Sequence, residues 1–286
     1  FNNATFNSTA AITYTMATRG LRLGGALSIT DTLTTVGLTT SNLAVTAGSV
    51  TIGTNGTLTA GSSTITVNGN WTSTVGTFTY GTSTVVINAT ATVAVTAPGR
   101  QFYNINLAPA GTTTTISGGG NLLLYTNIAT LGTGNLSGGT LYNNGANAAP
   151  FVNAGATITS ILTFDRSGTS FSMPATTTTG AVTFTGGAAS YTVTLAGNLS
   201  GGGMTVSNYG AGGNTTTLDT SVTNYSVTAS GSLSIGSAGN SHGAFLANGS
   251  IVSVGSTSLL ILTTNSYIDF GSSTWTFSGT TYTNSS

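Results

Sequence analysis

Apolar and polar residues alternate one by one along most of the chain. In "TITVNG" Ile65 and Val67 fall on one face and Thr64 and Thr66 on the other. In "SYTVTLAG" Tyr191, Val193 and Leu195 share a face in the same way. A period of two is that of a β-strand with one buried face. Such runs, about four to six residues long, are punctuated by Gly, Asn and Ser, as short strands joined by turns require. No long stretch carries apolar residues at i, i+3, i+4 and i+7, and the helix formers Glu and Lys are missing altogether. The pattern predicts an all-β protein.

The strands recur at a fixed interval. "GTLTAGSSTITVN" begins at Gly56 and "GTFTYGTSTVVIN" at Gly76, a step of 20, with seven of thirteen positions identical. "GNLSGG" at Gly134 returns at Gly197, a spacing of 63, and "GSSTITVNG" at Gly61 is echoed by "GSSTWTFSG" at Gly271, a spacing of 210. All three intervals share a unit of about 20–21 residues, a period that marks a solenoid or array. The unit is too short for a sandwich domain of about 100 residues. The fold expected is a parallel β-helix, or β-solenoid, with coils of about 20–21 residues stacked about 4.8 Å apart. At that rise the chain would make about 14 coils over roughly 65 Å. Stacking like on like puts Ile65 over Val85 and Val67 over Ile87 as inward columns. It also sets Asn68 and Asn88 as a corner ladder of side-chain amides. Residues 19–286 are expected to form a single β-solenoid domain, and residues 1–18 an N-terminal arm or inter-subunit strand that pairs with a neighbouring molecule.

The cassette "VNGNWTSTVGTFTYGTSTVVIN" followed by "RQFYNINLAPAGTTTTISGGGNLLL" resembles repeats of large secreted bacterial surface proteins with filamentous-haemagglutinin or adhesin-like architecture. The likeness is clear from Gly61 to Leu124 and loose elsewhere. In such repeats a "GTFT-x-GTSTV-x-x-N" strand pair is followed by an "FYN" strand, and Phe102, Tyr103 and Asn104 hold that place here. The resemblance implies a right-handed β-helix and an extracellular or cell-surface location; it specifies architecture rather than function.

Composition narrows the function classes. Charged residues are 3% of the 286, and the net charge is zero. The basic residues are Arg19, Arg22, Arg100 and Arg166, and the acidic ones Asp31, Asp165, Asp219 and Asp269. Four scattered arginines do not make the basic stripe that a nucleic acid requires. No apolar run approaches the roughly 20 residues of a membrane-spanning helix; the richest is "LLIL" from Leu259. Hydrophobic residues at 38% argue against disorder. Cysteine is absent, which removes disulfides, thiolate metal sites and cysteine nucleophiles. The first residue is Phe1 and no signal peptide follows it, so the chain reads as a mature secreted protein or as part of a longer one.

Candidate chemistry is sparse, and no catalytic residue, cofactor site or metal site is expected. A β-helical polysaccharide-acting enzyme would need clustered carboxylates. The steps from Asp165 to Asp219 and from Asp219 to Asp269 are 54 and 50, not multiples of 21, so these residues are not expected to share a ladder. Asp165 with Arg166 reads as a local corner or surface pair. His242, the single histidine, reads as a loop residue. The "GGG" runs at Gly118 and Gly201 lack the lysine and helix of a phosphate cradle. Trp71, Trp275 and the ten tyrosines read as coil-edge cover or contacts between rods, with sugar platforms as the alternative. Sequons for N-glycosylation occur at Asn3, Asn7, Asn55, Asn70, Asn88, Asn135, Asn198, Asn214, Asn224, Asn248 and Asn284. Thr-x-Thr pairs raise an ice-binding ladder, which "SLLILTT" and "NLLLYTN" interrupt. The function expected is that of an extracellular structural protein, a subunit of a surface fibre whose partner is itself as a homopolymer. Surface carbohydrates or neighbouring cells are further candidate partners, and a β-helical adhesin stalk is the alternative.

Overall fold

In the computed structural model, residues 1–96, 101–124, 128–210, 213–236, 241–255, 258–261, 265–279 and 281–284 are described; for 118–124, 258–261 and 281–284 this extends to the backbone only. Arg100 and the side chain of Asn284 therefore lie outside the described residues. Every described regular element is a β-strand, and the ladders between them are parallel, forming a β-solenoid of about 11 turns.

The chain divides into two compact units, Phe1–Leu141 and Tyr142–Ser286, where one domain over 19–286 was expected. In the first unit each of the first four coils contributes one strand to each of three sheets. Ala26–Ile29, Ser49–Ile52, Trp71–Ser73 and Ala91–Val95 follow one another in the first sheet. Ile12–Thr15, Val36–Thr39, Gly56–Thr59 and Thr77–Thr79 make the second. Val45–Ala47, Thr64–Val67, Thr84–Ile87 and Asn104–Leu107 lie in the third. Residues 1–18 do not leave the body as an arm. Ala4–Phe6 pairs with Ala26–Ile29 and Ile12–Thr15 pairs with Val36–Thr39, so this segment is the first coil.

The two stretches that carry the repeat stack as their spacing requires. Leu58 lies under Phe78, Ile65 under Val85 and Val67 under Ile87. All six are buried, because period-two alternation turns every second residue into the coil. Trp71 belongs to this core and not to a coil edge: it is fully buried, with ring centroids of Phe78 and Phe102 at 4.9 and 5.5 Å.

Coil length varies around the repeat. Val45, Ile65, Val85 and Ile105 succeed one another at steps of 20. Val50 precedes Trp71 by 21, and Leu27 precedes Val50 by 23. In the second unit Phe164 pairs with Phe184, a step of 20, but Met204 pairs with Leu233, a step of 29. Corners absorb the difference while strands keep their register, which accounts for fewer turns than a constant step of 20 or 21 would give.

Corners turn on residues with positive φ. Asn224, Asn248 and Gly271 take φ of 60°, 51° and 50° in three successive coils of the second unit, and Asn42, Gly61 and Gly81 take 64°, 57° and 55° in the first. Asparagine and glycine are the residues that enter this region at least cost.

Candidate functional site

The strand Ile161–Arg166 alternates cleanly, with Leu162, Phe164 and Arg166 inside and Asp165 turned outward. Asp165 and Arg166 are consequently not a surface pair but occupy opposite faces. Arg166 is fully buried. It donates through Nη1 to Asn143 Oδ1 at 2.8 Å and through Nη2 to the Asn147 carbonyl, and its guanidinium carbon lies 5.3 Å from the Phe171 ring centroid. Nε has no partner. Burial lowers the Arg166 pKa to about 10, because the charged form has lost its water.

Outside the same strand, Asp165 accepts hydrogen bonds from two tyrosines. Tyr209 OH reaches both carboxylate oxygens, at 3.0 and 3.1 Å, and Tyr142 OH reaches Oδ2. The arrangement is a stacked pair of dipeptides. Tyr142–Asn143 precedes Asp165–Arg166 by one coil, a step of 23, the outward tyrosine meeting the aspartate and the inward asparagine the arginine. Tyr209 comes from the far side, a step of 44 onward, and is 60% exposed. Its ring edge lies against Gly187, where a Cβ would stand 2.8 Å from Cε2. Desolvation and the bond to Asp165 raise the Tyr209 pKa. Beneath, Tyr191 is buried and donates to the Thr185 and Phe164 carbonyls at 2.7 and 3.2 Å; burial pushes its pKa well above the usual phenol. No described residue pairs the Asp165 charge with a cation. The signal was present in the alternation "ILTFDR", which puts Arg166 in register with Leu162 and Phe164.

The other sequence candidates are dispersed. Asp219 and Asp269 do share an outward file, separated by Leu246, contrary to the expectation from multiples of 21. The two intervening steps are 27 and 23, so their sum hides the register. The two carboxylates are two coil rises apart, about 9.6 Å, and Asn248 Nδ2 occupies Asp219 Oδ1 at 2.8 Å. Asp31 closes the first corner region of its unit by accepting from the backbone N–H of Leu33, Ser8 and Thr34 at 2.7, 2.8 and 3.1 Å, which lowers its pKa. His242 is no loop residue: it opens the strand His242–Leu246, is buried, and its Nε2 lies 3.1 Å from Asn265 Nδ2. Among the described residues no three of His, Cys, Asp and Glu come together to hold a metal. The threonine file also stands clear of its supposed interruptions. Thr15, Thr39, Thr59 and Thr79 are in register on one sheet, whereas Asn121–Leu124 and Ser258–Ile261 belong to strands of other ladders.

The asparagines have corner roles. Asn88 Nδ2 donates to Asn68 Oδ1 at 3.3 Å. The side-chain carbonyls of Asn3, Asn70, Asn198 and Asn224 each accept a backbone N–H from the next coil, at 2.8 to 3.0 Å. Asn55, Asn135, Asn214 and Asn248 instead donate through Nδ2, to Asp31 O, Thr113 Oγ1, Ala188 O and a group that includes Asp219. Asn7 is exposed beside the Asp31 turn.

Fold and site together define a β-solenoid that carries a polar cluster of tyrosine and carboxylate on the outside and arginine and amide within. Comparison of the chain with protein-family models, with curated proteins and with solved structures gives no match. No described helix is long and apolar enough to cross a membrane.

Proposed function

We propose that the chain is an extracellular structural protein, the subunit of a surface fibre in which one solenoid stacks on the next. The observation that carries this reading is the last complete described coil, beyond which the strand Thr281–Asn284 pairs with Ser258–Ile261. Val252 and Val254 are buried, and their register partners one coil on, Trp275 and Phe277, continue the same inward columns. Yet Trp275 is half-buried and Phe277 is 48% exposed, with Phe270 at 46% beside them. Trp275 packs on Phe245, Phe270 and Phe277 at centroid distances of 5.6, 5.1 and 5.7 Å. The result is an apolar platform shaped to take one more coil. In the first unit the inward columns of Ile29 and Leu38 likewise begin at partly exposed Phe6 and Tyr14. A head-to-tail contact of such unlike faces is heterologous and propagates without limit unless it closes into a ring. Net charge of zero sets no repulsion against it. The same platform fits a β-helical adhesin stalk, in which the covering coil belongs to the same polypeptide.

Negative-stain microscopy of the purified chain, with sedimentation, tests the proposal. Fibres with an axial repeat are expected, and Trp275→Lys should leave discrete particles at equal concentration. Discrete particles in both proteins would remove the fibre reading.

A further inference from the structure

We propose that Tyr142, Asp165 and Tyr209 form a contact site for a neutral polysaccharide on the outer face of the second unit. Outward positions elsewhere in the solenoid are mostly small; the register mates next to this cluster are Thr163 with Thr183 and Thr205, and Thr185 beyond Asp165. Two large phenols leave that pattern and converge on one carboxylate from coils on either side, which register between strands does not by itself require. Tyr209 crosses two coils to reach Asp165, and the absence of a side chain at Gly187 lets its ring lie close to the backbone there. Its hydroxyl is tethered while the side chain stays 60% exposed, which fixes an aromatic surface in place before any ligand arrives. Pre-organised tyrosine offers contact area at small entropic cost, with an apolar ring and a polar tip.

The chemistry selects the ligand class. A carboxylate has about four lone-pair sites, and the tyrosines take three contacts on two oxygens, two of them a single hydroxyl shared between both. Acceptor capacity remains for the hydroxyl donors of a sugar, and a ring beside it suits the apolar C–H face of a pyranose. Arg166, the nearest cation in sequence, is buried and directs Nη1 and Nη2 to Asn143 and Asn147. An acidic polysaccharide or a nucleic acid would meet the Asp165 charge with nothing to offset it. The site lies within the second unit and does not depend on fibre formation.

Co-sedimentation of the full chain with insoluble neutral glucan and chitin, and retardation in gels cast with soluble acidic polysaccharide, test the site. Protein spun without polysaccharide corrects for self-association, so a failed fibre reading and a failed sugar reading remain distinct. The wild-type chain should be retained on at least one neutral polymer. Tyr209→Ala should weaken retention about tenfold or more, the scale of losing a central aromatic contact. Asp165→Asn should weaken it less, and Tyr267→Ala, an exposed tyrosine elsewhere, should leave it unchanged. Tyr209→Phe keeps the ring, loses the tether and should fall between, which guards against a poorly folded alanine variant. Absence of retention on every neutral polymer, equal retention by Tyr209→Ala and wild type, or preference for the acidic polymer would each overturn the proposal.

Discussion

Arg166 and Tyr191 put two titratable groups into one interior, and their pH effects oppose each other. Tyr191 is held above its ordinary pKa by burial, so the native state keeps a proton that the unfolded chain releases above about pH 10. Stability from this group is complete below that value and is lost as pH rises further. Arg166 has the reverse sign. Its folded pKa of about 10 lies below the unfolded value, so the native state gains relative stability as pH rises through that range. Each group contributes at most one proton to the pH slope, so just above pH 10, where the unfolded tyrosine has lost its proton and the unfolded arginine has kept one, the two contributions offset each other. Tyr191→Phe removes the falling contribution and should tilt the profile of melting temperature above pH 10 upward relative to wild type, at the cost of a lower melting temperature at pH 8. Identical slopes above pH 10 in the two proteins would mean that burial does not hold Tyr191 above its ordinary pKa.

Strands and corners divide the structural labour. Strands carry register through alternate buried residues, and corners carry length. Gly81 illustrates the constraint: its φ is +55°, and a Cβ would stand 2.4 Å from the Gly61 carbonyl oxygen of the preceding coil. Gly81→Ala is expected to destabilise by roughly 1–3 kcal/mol, from strain and clash together. Gly111 has φ +72° with nothing within 4 Å of its Cβ position, so Gly111→Ala should cost about 1 kcal/mol from φ alone. Equal melting temperatures for the two variants would show that the corner yields. This division also explains what the sequence discloses. The steps of 20 from Val45 to Ile105 are legible because equal coils put equal residues on top of one another. The step of 27 from Leu218 to Phe245 is not, because the added residues lie in corners that need no periodicity, and so the shared file of Asp219 and Asp269 stayed hidden. The Tyr142–Asp165–Tyr209 cluster was hidden for a related reason. Its members are separated by steps of 23 and 44, and Tyr209 reaches it from beyond the end of the strand Met204–Val206.

At the scale of the whole molecule, the strands of each coil pair only with those of its neighbours, and long reaches such as that of Tyr209 to Asp165 are exceptions, so stability is close to a sum of coil and interface terms. A coil should then be removable if the cut respects register. Deleting residues 64–83 joins Ser63 to Thr84 and brings Val85 onto Val45, because Val45, Ile65 and Val85 are spaced by 20. In the adjoining sheet Val93 replaces Trp71 above Val50, again apolar on apolar. The shortened protein should keep its β-rich circular dichroism and a cooperative melt, lowered in part because Phe102 loses its ring contacts with Trp71 and Phe78. Deleting 64–84, one residue more, reverses the parity of the strand that follows and turns Val85 and Ile87 to solvent. Burying each of those side chains is worth about 1.5–3 kcal/mol, so the longer deletion should melt far lower than the in-register one or fail to fold. Matched melting temperatures for the two deletions would mean that the corner at Ser63 re-forms to absorb the slip, and that the repeat of 20 reflects composition more than register.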